Sequence, residues 1–216
     1  GDAHGAPDAA DTLRLIFTCC HPALAPETQI ALSLHTVCGL TTGEIARAFL
    51  VPVATLAQRL VRAKAKIKLA EIPYQIPGDD ELPERVSAAL HVVYLVFNEG
   101  HAASTGDDLL RADLCAEAIR LARQIVELLP AEREAAALLA LLLLNDARRD
   151  ARIDASGELV LLEDQGRSRW DRAKIAEGTA WVESALRGAR PGPYALQAAI
   201  AALHAQASRA DQADWK

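Results

Sequence analysis

Hydrophobic residues recur every three to four positions over most of the chain, which is the spacing of one face of an α-helix. The pattern begins at about Thr12 and is interrupted in segment 72–83, where three prolines and an acidic cluster prevent a helix from continuing. It resumes beyond this linker, and the successive helix pairs there are typical of a solenoid-like stack. We therefore predict an all-α fold with two helical domains, residues 12–71 and 84–216.

One stretch of the second domain departs from the helical pattern. Asp154 to Gly157 has the composition of a turn, and β-prone residues flank it on both sides. We expect a small β-hairpin that folds back onto the helices and buries Leu159 and Leu161. Such packing would bring the polar segment 161–171 close to the helix ends.

Composition narrows the class of protein. Hydrophobic residues make up 51% of the chain, too many for a disordered protein, and aromatic residues only 4%, so Leu and Ala must fill the core. We find no secretory signal and no apolar run long enough to span a membrane. Adjacent Cys19 and Cys20 argue against a disulfide framework and favour a reducing, cytoplasmic setting. The chain has no Met and opens with a polar, glycine-containing stretch, so we expect a mobile leader, residues 1–11, with further sequence upstream.

The predicted helix from Pro52 to Ala70 carries the clearest functional signal. No acidic residue occurs between Glu44 and Glu71, and a short helix capped by Thr41 and Glu44 precedes it. A capped helix, a tight break and a basic amphipathic helix are the layout of a helix-turn-helix, whose second helix enters the major groove of DNA. The alternative is a solvated basic face without a partner. The face predicted to pack inward consists of Val53, Leu56, Leu60, Ala63 and Ile67.

The sequence LTTGEIARAFLVPVATLAQRLVRAKAKIK resembles region 4 of bacterial RNA polymerase sigma factors of the extracytoplasmic-function type. That family shows Leu-x-x-x-Glu-Ile-Ala, a turn, and then Thr-Val-x-x-Arg-Leu-x-Arg-Ala-Arg/Lys. The residues that match are Leu40, Glu44, Ile45 and Ala46 in the first part, and Thr55, Arg59, Leu60, Arg62, Ala63 and Lys64 in the second. The chain departs from the family at Ala57, where a Lys is frequent, and this puts one backbone contact in doubt.

Three motifs of the second domain resemble the C-terminal extension of a subgroup of these factors. They are YLVFNEG, LLEDQGRSRWD and GPYALQAAIAALHAQA, and the extension of that subgroup is TPR-like. Region 2 of the family, which melts the −10 element and grips core polymerase, has no counterpart in this sequence. The resemblance therefore implies the C-terminal part of a sigma factor, with promoter DNA and the RNA polymerase core as partners.

The resemblance also implies that the basic helix recognises the −35 promoter element. The residues expected at the DNA are Thr55, Gln58, Arg59, Arg62, Lys64 and Lys66. Gln58, Arg59 and Arg62 are expected at base edges and phosphates, with Thr55 at a phosphate near the helix N-terminus and the lysines as counter-charges. One helix-turn-helix offers few contacts, so binding by this chain alone is expected to be weak and salt-dependent.

Polar residues of the second domain define a candidate site for a small-molecule or protein regulator. Its members are Asn98, Glu99, Arg148, Arg152, Asp164, Gln165, Arg167, Trp170, Gln197 and His204. Such residues either join the hairpin to the helices through buried hydrogen bonds and ion pairs, or they line a binding site. A buried Trp170 favours the first interpretation, and a half-exposed Trp170 beside Arg167 and Asp164 favours the second.

Two other functions fit the same sequence. One is a stand-alone helix-turn-helix transcriptional regulator with a ligand-sensing helical domain, and the other is an enzyme that uses the polar pocket. Acid, base and cation are all present there, but no nucleophile elbow, phosphate loop or metal-ligand pair accompanies them. We therefore expect no catalysis and no cofactor. Cys19-Cys20-His21 lacks the ligand spacing of structural zinc sites, so we expect no metal, even with His35 and Cys38 nearby.

Overall fold

The computed structural model describes residues 9–101, 108–156, 158–187 and 190–207. Within these ranges the protein is helical and has no β-strand, which confirms the predicted all-α fold. The α-helices are α1 (Ala9–Cys19), α2 (Pro26–Thr36), α3 (Thr42–Ala48), α4 (Val53–Leu69), α5 (Leu82–His101), α6 (Asp108–Leu128), α7 (Arg133–Asp146), α8 (Arg172–Leu186) and α9 (Pro193–Gln206). Short 3-10 helices occur at Arg149–Ala151 and Arg167–Arg169.

Tertiary contacts divide the chain into two units that differ from the predicted domains. The first unit comprises Gly1–Gly100 and Leu109–Glu117, and the second His101–Asp108 and Ala118–Lys216. The first unit therefore includes most of α5. The predicted linker 72–83 lies between α4 and the start of α5, within the first unit, so it is not the boundary between the two units. Of the predicted leader, residues 1–8 lie outside the described part of the chain, whereas Ala9 already begins α1.

The first unit is organised around a helix-turn-helix. The predicted capping box is present at the start of α3: Glu44 donates its backbone N–H to Thr41 Oγ1 at 3.2 Å, and Thr41 donates its own to the Glu44 carboxylate at 2.7 Å. α4 packs on α2 and α3 through Leu56, Leu60 and Ala63, which are buried as predicted.

Two residues of the predicted inward face of α4 do not pack as expected. Val53 is 53% exposed and Ile67 is only half-buried. Val53 is the first residue of α4, so the buried stripe of this helix begins at Leu56, one turn later. α5 is joined to α1 within the same unit, because the Arg85 guanidinium donates to the Phe17 carbonyl at 2.6 Å.

α7 forms the centre of the second unit. Every residue from 135 to 144 is buried, and both α8 and α9 pack on this helix. A glycine permits the close approach of α8, because a Cβ at Gly178 would lie 2.8 Å from Leu144 Cγ. Burial of a leucine side chain contributes about 1.5–3 kcal/mol, so the leucines of α7 supply a large part of the apolar stabilisation of this unit.

A side chain of α7 caps the N-terminus of α9. The backbone N–H groups of Tyr194 and Ala195 donate to the Glu134 carboxylate at 3.0 and 3.2 Å. The N-cap residue, Gly192, has no side chain to do this, and a Cβ there would overlap the Glu134 carboxylate. The negative charge also faces the positive end of the α9 dipole. Glu134 therefore ties α7 to α9 by two hydrogen bonds.

The predicted β-hairpin is reduced to one antiparallel bridge, between Ile153 and Leu159. Its backbone is held by local hydrogen bonds, since the Asp154 carboxylate accepts the N–H groups of Ser156 and Glu158 at 2.8 and 3.0 Å. Leu159 is 55% exposed and Leu161 is 66% exposed, so the prediction that the hairpin buries them is wrong. Hydrogen bonds within the turn therefore hold this segment, and the exposed Leu159 and Leu161 contribute little packing.

Replacing Glu134 by alanine tests the interhelical cap. We expect Glu134→Ala to lower the free energy of unfolding by about 1–2 kcal/mol, because two N–H groups and a favourable dipole interaction lose their partner. Urea denaturation followed by circular dichroism measures this. The matched control is Glu183→Ala at an exposed position of α8, with an expected change below about 0.5 kcal/mol. Equal effects of the two substitutions would contradict the role of Glu134.

Candidate functional site

The basic side chains of α4 line a groove beside the N-terminal end of α2. The groove has a volume of about 340 Å³. Its lining residues are Leu24, Ala25, Thr28, Thr55, Gln58, Arg59, Arg62, Ala63 and Lys66. It thus brings together five of the six residues predicted to contact DNA. Lys64 does not line the groove, and Thr28 is a polar neighbour from α2 that sequence reasoning missed, because only tertiary packing places it there.

The polar groups of this groove are available to a partner. Thr55, Gln58, Arg62 and Lys66 are exposed and Arg59 is half-buried. Within the described part of the chain, none of these side chains makes a hydrogen bond or an ion pair. The acid that precedes α4, Glu44, is occupied in the capping box, where the Thr41 hydroxyl and then its backbone N–H lower the pKa of the Glu44 carboxyl. The positive charge of α4 is therefore not neutralised locally.

In the second unit, Trp170 holds the polar segment 161–171 against the helices. Its side chain is 3% exposed. The guanidinium carbons of Arg167 and Arg148 lie 4.5 and 5.9 Å from the centroid of its ring, within the range of a cation–π interaction. Arg167 also donates to the backbone carbonyl of His204 on α9. The burial of Trp170 favours the interpretation that this segment joins the irregular chain to the helices.

The end of the same segment is fixed by Asp171. Its backbone N–H donates to the Ala147 carbonyl at 2.9 Å, and its carboxylate caps α8 by accepting the N–H groups of Ala173 and Lys174 at 3.0 and 3.1 Å. Lys174 Nζ forms an ion pair with Oδ2 of the buried Asp146 at 2.8 Å. Burial lowers the pKa of Lys174, but the hydrogen bond and attraction to Asp146 outweigh it, so the net shift is upward. These contacts connect the C-terminal end of α7 to the start of α8.

A cavity of about 280 Å³ lies between α7 and α9, beside the Trp170 cluster. Its lining residues are Leu141, Asn145, Arg148, Leu162, Gln197, Ile200, Ala201 and His204. Three predicted site residues, Arg148, Gln197 and His204, therefore meet at one cavity. Sequence reasoning missed Asn145, although it stands three residues before Arg148 and its side-chain oxygen accepts from that guanidinium at 2.7 Å.

The remaining predicted residues do not line this cavity. Asn98 and Glu99 belong to the first unit. Asp164 is exposed, whereas Gln165 is buried and donates its amide to the Val160 carbonyl at 3.1 Å. Arg152 donates to the His101 carbonyl at 2.6 Å. The predicted set of ten residues is thus distributed over several places.

Positive charge dominates around the cavity. Burial, followed by repulsion from Arg152 and Arg167, lowers the pKa of Arg148. Burial is also the main cause that lowers the pKa of His101 to about 4, with Arg152 and Arg148 adding to it. The pKa of His204 is lowered by burial and then by Arg148 and Arg167. Both histidines are therefore neutral near pH 7 and add no positive charge to that of the neighbouring arginines.

Three of the four cysteines, Cys19, Cys20 and Cys115, are buried in the first unit, and Cys38 is half-buried. Cys19 and Cys20 are each 2% exposed, and Cys20 Sγ lies 3.6 Å from Ser33 Oγ. Burial raises the pKa of the Cys20 thiol to about 12, so this thiol is protonated near pH 7. Among the residues that the structure describes, no three His, Cys, Asp or Glu side chains are placed to bind a metal ion together. No described helix has the length and apolar character needed to cross a membrane.

Comparison with known families identifies the class of the first unit. Residues 14–67, from α1 to α4, match the family model for sigma-70 region 4, and residues 85–186 match a family of unknown function (DUF6596). Residues 14–67 therefore form a segment of the sigma-70 region 4 type. An uncharacterised protein of Rhizobium meliloti (strain 1021) is 51% identical over 212 residues, which cover 98% of this chain and 50% of that protein. The chain thus spans about half the length of this relative. No solved structure matches the chain.

His101 should make the stability of the protein depend on pH. Because its pKa is lower in the folded protein than the value of about 6.5 expected after unfolding, the unfolded chain takes up more protons below that pH. The free energy of unfolding therefore falls on acidification, and His101→Gln should reduce this loss by about 2 kcal/mol at about pH 5. Urea denaturation at about pH 7 and about pH 5 measures the difference.

The matched control for His101 is His91→Gln, because His91 is an exposed residue of the same helix. Its pH dependence should equal that of the unsubstituted chain. His21 and His204, whose pKa values are also lowered, are present in all variants, so the comparison isolates His101. Identical acid sensitivity of the His101→Gln variant and the unsubstituted chain would refute the assignment.

Proposed function

We propose that the chain is the C-terminal part of an extracytoplasmic-function RNA polymerase sigma factor, and that α4 recognises the −35 promoter element. The observation that carries this proposal is the groove on α4, whose cations have no partner among the described residues and which lies within the segment of the sigma-70 region 4 type. The competing interpretation is a solvated basic face without a partner.

Recognition would use the N-terminal half of α4. The buried Leu56, Leu60 and Ala63 hold this helix on α2 and α3, so its opposite face is presented rigidly to the major groove. An Arg pairs in bidentate fashion with guanine and a Gln with adenine, which makes Arg59 and Gln58 the candidates for base contacts. Arg62 and Lys66 lie one and two turns further along and would neutralise phosphates.

Such a small set of contacts gives weak binding by itself. Each phosphate contact adds about 0.9 to the slope of log affinity against log salt concentration, so isolated binding should be strongly salt-dependent. In the proposed mechanism the RNA polymerase core supplies the missing affinity, because it holds region 4 at a fixed distance from the rest of the promoter-binding surface. This partner implies action in the cytoplasm.

The second unit is proposed to act as a TPR-like regulatory extension rather than as an enzyme. Its helices pack on α7, and one cavity with a polar end and an apolar wall opens between α7 and α9. A small molecule or a protein bound there would change the contacts of α9 and of the Trp170 segment. The regulator would thereby influence promoter recognition.

Selection from a library of randomised duplexes tests DNA recognition, because the library contains every short motif and no promoter has to be chosen in advance. The unsubstituted chain should enrich one short motif. Arg62→Ala should lower affinity for that motif by about tenfold, the effect of losing one good contact, and should reduce the salt slope by about 1. The matched control is Lys68→Ala, which removes one positive charge from an exposed position of α4 outside the groove.

Addition of core polymerase separates the sigma factor from a stand-alone regulator. A sigma factor should bind the core, and the core should raise its affinity for the selected motif. Equal loss of affinity in Arg62→Ala and Lys68→Ala would argue for a non-specific basic surface. A selected motif whose binding is indifferent to core polymerase would instead favour a stand-alone regulator.

A further inference from the structure

The cavity between α7 and α9 has two chemically different sides. One side is apolar and consists of Leu141, Leu162, Ile200 and Ala201, whereas the other presents Asn145, Arg148, Gln197 and His204. Its volume of about 280 Å³ is just below the range of about 300–1,000 Å³ found for small-molecule sites. The shape therefore fits a small ligand with an apolar body and one polar end.

The charge beside this cavity is not balanced by the protein. Within the described residues, neither Arg148 nor Arg167 forms an ion pair with a carboxylate. The buried Asp146 is already engaged by Arg149 and Lys174. Both guanidinium groups thus lie over the Trp170 ring without a carboxylate partner.

Two buried donors of the same cluster also lack an acceptor. Arg167 Nη2 and Trp170 Nε1 are inaccessible to solvent and have no hydrogen-bond partner among the described residues. A buried donor left without an acceptor costs about 1–3 kcal/mol. The cation–π contacts of Arg148 and Arg167 with Trp170 offset part of the burial cost of the guanidinium groups, but they provide neither negative charge nor a hydrogen-bond acceptor.

We propose that this cavity binds a small organic carboxylate, with the carboxylate on Arg148 and the apolar body against Leu141, Leu162 and Ile200. A carboxylate supplies the negative charge that Arg148 lacks, and Arg binds this group in bidentate geometry. Arg167 and Trp170 do not line the cavity, so the ligand contacts Arg148 and not the unpaired donors of these two residues. Gln197 and His204 line the same polar side and are placed to add hydrogen bonds. Inorganic phosphate would satisfy the charge but would leave the apolar side in contact with water.

This inference rests on the regulatory role proposed for the second unit, but not on DNA recognition by α4. Arg148 and Arg167 both lie over the Trp170 ring, and Arg167 donates to the His204 carbonyl of α9. A carboxylate bound to Arg148 would therefore be linked to α9 through these contacts. The bound form would therefore have a more rigid second unit. DNA selection reports on α4, whereas ligand binding reports on this cavity, so either proposal can fail without the other.

Isothermal titration of the 216-residue chain with three probes tests the proposal. Hexanoate carries both the charge and the apolar body, hexanol carries only the body, and inorganic phosphate carries only the charge. We expect saturable binding of hexanoate that is at least about tenfold tighter than that of either other probe, because a charge-assisted bidentate contact and apolar burial are both needed.

Variants locate the site. Arg148→Gln should weaken hexanoate binding by about tenfold or more, because the charged donor is lost. Gln197→Glu keeps the shape but places a negative charge at the exposed rim of the cavity, and it should weaken binding by about threefold to tenfold. The matched control is Gln206→Glu, the same change at an exposed position of α9 that does not line the cavity. It should leave binding unchanged.

The remaining outcomes would overturn the proposal. Hexanol binding as tight as hexanoate would show an apolar site without anion selectivity. Phosphate binding in preference to hexanoate would replace the carboxylate by a phosphate ligand. Absence of saturable binding, or equal weakening by Gln197→Glu and Gln206→Glu, would remove the site from this cavity. Because Gln197 is exposed, its variant keeps the test decisive even if Arg148→Gln fails to fold.

Discussion

Close packing of helices through small side chains is the constraint on which the second unit depends. The buried positions of α9 are all alanines: Ala195, Ala198, Ala202 and Ala205. An alanine surface lets two helix axes approach closely, so polar atoms outside α9 can reach its backbone. Glu134 binds the N–H groups at one end of α9, and Arg167 binds a carbonyl near the other. Both links bind the backbone of α9 directly.

Positive charge is used in two different ways along the chain. On α4, Arg62 and Lys66 are exposed and lie beside a groove, so they keep their hydration until a polyanion replaces it. Around Trp170, Arg148 and Arg167 are partly withdrawn from water and lie over an aromatic ring. The first arrangement favours long-range, salt-sensitive attraction, whereas the second favours a single, well-placed anionic group.

Local patterns predicted the elements of the first unit well. Thr41 and Glu44 form the expected capping box, and Leu56, Leu60 and Ala63 form the expected buried stripe, because both depend only on the spacing of residues along one helix. The same reasoning failed for Leu159 and Leu161. The β-prone residues around the turn indicated a hairpin that buries them, but only one antiparallel bridge forms, between Ile153 and Leu159, and both leucines are exposed.

The sequence by itself determined the helical class, the helix-turn-helix and the chemical character of the α4 face, because helix periodicity, capping and charge are local properties of the chain. Only the tertiary structure decided which polar residues meet. It placed Arg148, Gln197 and His204 at one cavity and assigned Asn98 and Glu99 to the other unit. It also showed that Trp170 is buried, with the guanidinium groups of Arg148 and Arg167 over its ring, rather than half-exposed. Residues far apart in sequence come together through the packing of α7 and α9, and no local pattern records that packing.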